Sequence, residues 1–497
     1  MVGRMLVNVC ARIEERPYGA EVIYRKGRTM VSENKCPGCR RTVCDGCGIY
    51  RKLNTNKQVR IRFPKGFKVQ PGEGLGISFD VGTTTLAGML WDLEKGTLLE
   101  AETGANPQAV FGADVISRIQ AAAGNREDLG KMQKMLVEKL DEMASEMMER
   151  LAGSGTLRRV TVAGNTAMSE ILLGIPPLQL AKAPFLPDYE NTVYLKGSAL
   201  GFHFLGETDI MVLPPIGGYV GADALAVHGY VSMEEKEGRI LSIDIGTNGE
   251  ILLQCDGKRF ACSTAAGPAL EGGAVSQGMR AVRGAVDMVS LTGRFPMEDL
   301  TSRVIGGGAG RGICGSGLVD GLAWLYRTKV IDHTGYMRKV GEARESGVPG
   351  RIAGRIRQED DGCKFLLTDS RDPVYLTAGD VRQLQLSVSA IRSGAETLLE
   401  KAGLKAKQLD RIYLAGAFGS YIGIESGLAI GLFPHVPKEK IYQAGNLAGI
   451  GAAMALLSGE ALQYMEEERK RFTHVELAGE ETFKELFLAH MNFPLNF

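Results

Sequence analysis

One short phrase occurs twice in this chain and constrains its fold more than any other feature. Residues 76–85 read GISFDVGTTT and residues 241–250 read LSIDIGTNGE. In each, an apolar run ends in an Asp, a Gly-Thr turn follows, and a second apolar run resumes at 86–91 or 251–253. The pattern predicts strand, tight turn, strand, made twice. Gly82 and Gly246 let the backbone turn sharply or approach a ligand closely. Thr83, Thr84, Thr247 and Asn248 offer hydroxyl, amide and backbone N–H donors, which suit phosphate oxygens. Asp80 and Asp244, at the strand ends, can hold hydrated Mg²⁺.

The duplication extends further. Residues 157–165 (LRRVTVAGN) and 409–417 (LDRIYLAGA) each read as a buried strand ending in Ala-Gly. A long amphipathic helix precedes each. Met132, Met135, Leu136, Leu140, Met143, Met147 and Leu151 share one face of the first, and Val381, Leu384, Val388, Ile391, Ala395, Leu398 and Ala402 one face of the second. Upstream, GADVISRI at 112–119 echoes AGDVRQLQ at 378–385. The order hairpin, inserted segment, helix, strand-Ala-Gly therefore occurs twice. Two facing halves with a nucleotide between them are expected.

In these motifs the chain resembles the superfamily of acetate and sugar kinases, the seventy-kilodalton heat-shock chaperones and actin. The resemblance implies an α/β fold, a duplicated ribonuclease-H-like core of two lobes around a nucleotide cleft. It covers residue 75 to about 458. It further implies that the two Asp-Gly-Thr loops grip ATP phosphates. The adenosine would then lie against LAGAFGSYI (414–422), with Gly416, Ala417, Phe418 and Gly419 beside it.

Length and composition fit this size of fold. At 497 residues, two or three domains are expected. The expected division is 1–74, 75–238 and 239–497. Hydrophobic content of 44% and charged content of 23% are those of a soluble globular protein. Zero net charge removes any bulk electrostatic case for nucleic acid or an anionic membrane. No apolar run is long enough to span a bilayer, and the opening residues carry no signal-peptide pattern, so a cytoplasmic location is expected. Nine Cys in such a chain argue for thiols and metal sites over a disulfide framework.

The first 74 residues differ from the rest. Residues 5–15 and 21–32 read as two strands of a hairpin. CPGCRRTVCDGCG follows, placing Cys36, Cys39, Cys44 and Cys47 in a C-x2-C-x4-C-x2-C pattern. Two C-x2-C pairs make a tetrahedral zinc site, and the same thiolates can hold an iron–sulfur cluster. The spacing of Cys39, Cys44 and Cys47 is that of plant-type 2Fe–2S ferredoxins, whose fourth Cys comes well downstream. Here the fourth ligand would have to be Cys36, which favours a 4Fe–4S cube or zinc. Cys10 reads as a small buried residue. Residues 54–74 are basic, contain one short strand and read as a linker, with Arg60, Arg62, Lys65 and Lys68 as solvated cations.

Other segments offer further candidates. Asn106, Gln108 and Asp114 stand near the start of a predicted helix, where capping and solvated surface are the favoured roles. Residues 164–166 would start a helix pointing into the cleft. Asp223, in LPPIGGYVGADALA, falls in the first turn of another. Glu271, in STAAGPALEGG, lies near the phosphate end, where a carboxylate could position a water or Mg²⁺. Gly315, Ser316 and Gly317 open a helix after a Gly-rich run, a ready anion site. Residues 330–373 read as a peripheral insertion, and the tail from 459 as charged and helical. Cys255, Cys262, Cys314 and Cys363 read as ordinary thiols.

The longer segments, among them FDVGTTTLA, NPQAVFGADVISRI, STAAGPALEGG, GICGSGLVD and GLFPHVPKEKIYQAGNLAGIGAAMAL, narrow the resemblance. They are similar to the ATP-dependent reductive activators of corrinoid proteins. That resemblance implies ATP-coupled electron transfer from an iron–sulfur cluster, returning Co(II) to Co(I) in the corrinoid protein of a methyltransferase system. It implies an electron donor such as a ferredoxin and leaves room for a homodimer. The chain departs from the family at its N-terminus, where a compact four-Cys segment replaces a full ferredoxin domain. Two competing readings are an actin-fold small-molecule kinase with structural zinc and an activator of another low-potential metalloenzyme. No helix-turn-helix is legible in 1–74, which argues against a DNA-binding relative.

Overall fold

The computed structural model describes residues 21–23 and 60–495, except 152–154, 361 and 420. Cys10, Cys36, Cys39, Cys44, Cys47 and the expected strand 5–15 lie outside the described residues. Glu21–Ile23 pairs antiparallel with Arg60–Arg62.

Each predicted hairpin opens a six-stranded sheet. In the first lobe β1 (Leu75–Val81), β2 (Thr85–Asp92) and β3 (Thr97–Ala105) form an antiparallel meander. β4 (Leu157–Gly164) lies parallel to β1 on its other side, followed by β6 (Asp209–Val212) and β5 (Val193–Lys196), giving the order β3-β2-β1-β4-β6-β5. The second lobe repeats this with β7 (Ile240–Ile245), β8 (Gly249–Cys255), β9 (Lys258–Thr264), β10 (Arg411–Ala415) and β11 (Ile441–Gly445). Its order is β11-β10-β7-β8-β9, and β12 (Phe472–His474) adds to the β9 edge. Asp80 stands opposite Ala163 across β1 and β4, and Asp244 opposite Ala415 across β7 and β10. The two halves therefore match in register as well as in order.

The long helices form where the periodicity places them. α1 (Val115–Gly124) is N-capped by Asp114, and α2 (Arg126–Arg150) buries Met132, Leu136, Leu140, Met143 and Met147 against the first sheet. α3 (Thr166–Leu172) follows β4, capped by Asn165. α6 (Ala378–Lys401) covers the second sheet and carries a capping box from Thr377 and Asp380. Its predecessor α5 (Gly315–Arg327) packs on a three-stranded sheet of Ala285–Thr292, Asp299–Val304 and Gly312–Ile313. Residues 330–373 are more integrated than an insertion. Two of the three strands in a further small sheet, Ile356–Glu359 and Gly362–Leu366, come from this stretch, and Phe365 is sealed in the second-lobe core.

Two helices lie between the lobes. α4 (Ala222–Glu234) and α7 (Leu447–Leu457) are buried almost all round, and α7 carries no polar side chain at all. α7 follows the second sheet in sequence but packs on β1 and β4 of the first. The helices cross at Gly451, where any Cβ would collide with the Ala226 carbonyl oxygen. α8 (Gly459–Arg469) packs on both. Residues 60–74 are packed where the sequence suggests a linker. Ile61 and Phe63 are sealed, and the Phe63 ring lies 4.5 Å from Phe67 and 5.7 Å from Trp91. No described helix is long and apolar enough to cross a membrane.

Candidate nucleotide cleft

The two Asp-Gly-Thr loops meet face to face. Gly82 N–H donates to the Thr85 carbonyl at 3.1 Å, and Gly246 N–H to the Asn248 carbonyl at 2.9 Å. The first loop is thus one residue longer. Across the cleft the Thr84 and Thr247 hydroxyls are 2.9 Å apart, and Thr247 donates to Glu271 Oε1 at 2.7 Å. A hydroxyl has one proton, so Thr84 must donate to Thr247. Thr84 and Thr247 donate in turn, ending on the Glu271 carboxylate, so one chain of hydrogen bonds leads from the first lobe into the second.

Four carboxylates gather behind these loops. Burial, then Asp223, pushes Asp80 up from the ordinary 3.8 to about 7, against the 2.9 Å hydrogen bond donated by Asn446 Nδ2. Burial, then Asp80 and Asp223, raises Asp244 to about 8. Asp223, in the first turn of α4, is raised to about 6, chiefly by burial. Glu250 is raised well above its ordinary value by burial, then by Asp223 and Asp244. Like-charge repulsion links them: Asp223 acts on Asp80, Asp244 and Glu250, Asp80 on Asp244, and Asp244 on Glu250. Asp80, Asp223 and Asp244 remain partly open to the cleft. Such a donor set fits a cation that keeps its waters, as Mg²⁺ does. Among the described residues no three His, Cys, Asp or Glu side chains converge tightly enough for direct metal ligation.

Sign and window follow from these directions. An acid whose folded pKa exceeds its unfolded value keeps a proton that the unfolded chain has released. Between pH ~4 and ~8 the folded state therefore binds more protons, and stability falls as pH rises. The melting temperature of the nucleotide-free protein is expected to drop from pH 6 to pH 8, with a smaller drop in Asp244→Asn. Parallel slopes in the two proteins would exclude this carboxylate as the source.

The other predicted residues fall as follows. Gly416 has φ +79°, and a Cβ there would strike Asp244 Oδ1, so the β10 turn presses its backbone on that carboxylate. Phe418 is half-buried against the second-lobe core, and Gly419 accepts from Gln443 Nε2 at 3.0 Å. Ala417 belongs to the same helical turn, Gly416–Gly419. Gly315 and Gly317 press on the carbonyls of Leu270 and Val286, and Ser316 Oγ donates to the Asp287 carbonyl at 2.9 Å. The start of α5 is thus packed one residue from Glu271. Asn106 caps the turn Pro107–Phe111 as expected, yet it is buried, not solvated, and its Nδ2 braces the Gly82 carbonyl at 3.0 Å. Cys255, Cys262 and Cys314 are buried free thiols and Cys363 is half-buried.

Sequence reasoning missed three participants. Glu250 stands opposite Asp244, where the first hairpin has Ala87 opposite Asp80. Arg118 is buried, donates to the Gly112 carbonyl, and is lowered to about 10 by burial against the pull of Asp114 and Glu271. Asn446 had a legible signal. Ala-Gly-Asn occurs at 163–165 and again at 444–446, each time capping a helix that starts at the cleft.

Comparison with known proteins agrees with this architecture. Residues 239–496 match the family described as the C-terminal domain of RACo, the ASKHA domain, and residues 75–236 match the RACo middle region. The chain is 34% identical over 429 residues to the corrinoid activation enzyme RamQ of Eubacterium limosum, covering 85% of this chain and 70% of that protein. It is 26% identical over 445 residues to the [Co(II) methylated amine-specific corrinoid protein] reductase of Methanosarcina barkeri, covering 84% and 77%. A solved reductive activator for corrinoid, iron–sulfur protein superposes with a TM-score of 0.74 at 31% identity, over 85% of this chain and 66% of the other. The chain belongs to the RACo family, to which activators of corrinoid proteins belong.

Proposed function

We propose that this protein reductively activates a corrinoid protein, using ATP to drive a low-potential electron onto Co(II) and return it to Co(I). The observation that supports it best is the pair of Asp-Gly-Thr loops meeting at a recessed carboxylate cluster, in a chain aligned with corrinoid activators through both lobes. Asp80, Asp223 and Asp244 would hold the waters of Mg²⁺, which when bound neutralises phosphate charge. The Gly82–Thr84 and Gly246–Asn248 loops would receive the phosphates. Glu271, already an acceptor from Thr247, would orient the attacking water and take its proton. Gly416–Gly419 would lie beside the adenosine, and the start of α5 would close the phosphate end. Cys36, Cys39, Cys44 and Cys47 are the soft donors offered for an iron–sulfur cluster, 4Fe–4S in preference to 2Fe–2S. When bound, such a cluster would supply the single low-potential electron that the reduction of Co(II) requires, with a ferredoxin-type protein as its donor.

A nucleotide can assist such a transfer only by favouring one conformation over another. The test is anaerobic. Reduced protein is mixed with a Co(II) corrinoid protein from the same cell, and Co(I) absorbance is followed with and without ATP. Faster and more complete Co(I) formation with ATP is expected. Equal rates and extents would refute the proposal.

A further inference from the structure

The two crossed helices between the lobes join the cleft to the segment that leads back to the cysteines. At the cleft end, α4 carries Asp223 in its first turn, and Asn446, the cap of α7, holds Asp80 Oδ2 at 2.9 Å. At the far end the same two helices hold residues 62–70. Glu234, last in α4 and with its side chain 7% exposed, accepts from Arg62 Nη2 at 2.7 Å and from the Lys65 backbone N–H at 2.8 Å. The Leu457 carbonyl, last in α7, accepts from Gln70 N–H at 2.8 Å. Gln70 Oε1 accepts in turn from Gly459 N–H at 2.8 Å.

Neither helix can slide freely on the other. Gly451 seats α7 directly on the Ala226 carbonyl, with no side chain between them to absorb a shift. At 1.5 Å per residue, the crossing lies roughly 6 Å from the cleft end of α4 and roughly 12 Å from Glu234. Asp223 itself lies roughly 4.5 Å from the crossing, so a rotation about it that moves Asp223 moves Glu234 about two and a half times as far. Packed interfaces of this kind respond as discrete alternatives, not as soft joints.

We propose that α4 and α7 form a coupling device, with Glu234 and Gln70 as positioning residues that set residues 60–74 according to what occupies the cleft. It rests on the assignment of the cleft to ATP. The cation arriving with ATP among Asp80, Asp223 and Asp244 relieves their repulsion, shifts the helix starts, and changes the hold on Arg62, Lys65 and Gln70.

The experiment is amide hydrogen exchange on the full chain, prepared anaerobically, with and without saturating Mg-ATP, occupancy being verified by titration. In the natural sequence, exchange across 60–74 is expected to change at least about threefold on ATP binding. In Glu234→Gln and in Gln70→Ala that ATP-dependent difference is expected to vanish, although the cleft still fills. A merely structural clamp would raise exchange equally with and without ATP. Gln70 is exposed, so its variant keeps the test open should Glu234→Gln fail to fold. Bound ATP with unaltered exchange in 60–74, or a difference surviving in both variants, overturns the coupling alone. No ATP binding at all overturns the cleft assignment and the coupling with it.

Discussion

Asp244→Ala is expected to remove ATP hydrolysis while leaving the metal content of the four-Cys segment unchanged. Asp244 ends the strand that opens the second lobe, beside Asp80, Asp223 and Glu250, with the Gly416 backbone pressed on its carboxylate. The truncation removes the carboxylate proposed to hold a cation's waters and opens a gap beside Gly416. Loss of one preorganised electrostatic group in a recessed site costs roughly 10²–10³ in kcat, and a group that also anchors a cation should sit at or beyond that range. Folding should survive, because the change relieves repulsion among acids that are raised well above their ordinary values. The measurement is phosphate release, with the circular dichroism of the variant as control. Turnover within tenfold of the natural sequence would mean that the second loop does not serve the phosphates.

Replacing Cys39 and Cys44 together by Ser is expected to abolish Co(I) formation and leave ATP hydrolysis nearly intact. Serine oxygen is a hard donor and a poor ligand for an iron–sulfur cluster, and two remaining thiolates cannot hold one. Hydrolysis should persist, since the described cleft is built entirely from residues 80–446. Iron, zinc and acid-labile sulfide analysis of the anaerobic protein accompanies the Co(I) assay. Stoichiometric zinc without sulfide in the natural sequence, or undiminished Co(I) in the variant, would exclude this segment as the electron source.

Much of this architecture is legible in the sequence because it is written twice. Two hairpins ending in Asp, two strands ending in Ala-Gly and two amphipathic helices each carry their own period. The register of Asp80 with Ala163 and of Asp244 with Ala415 preserves that duplication in space. What escaped is what breaks the symmetry or depends on distant contact. Glu250 has no counterpart in the first hairpin, where Ala87 holds its place. The third strands, Thr97–Ala105 and Lys258–Thr264, mix polar and apolar residues too irregularly for a period of two. β12 is three residues long and gains its identity only from pairing with β9. Residues 60–74 read as a linker because their burial depends on Trp91 and on the far ends of α4 and α7, which no local pattern reveals. Asn106 and Arg118 look like surface residues until the fold brings Asn106 to the Gly82 carbonyl and Arg118 to Gly112 and Met168.

The placement of α7 has a consequence for how the chain is made. The first sheet is complete at Val212, yet the helix that covers its inner face begins at Leu447, roughly 235 residues later. At ~5–20 residues per second, Met89 and the α7-facing side of β1 and β4 lack that helix on the emerging chain for on the order of 10–50 s. An apolar face exposed for that long is a ready template for wrong contacts. The N-terminal half, released alone, should therefore be insoluble or chaperone-bound. The two halves should become soluble only when synthesised together, so that the last tenth of the chain finishes the fold of the first lobe.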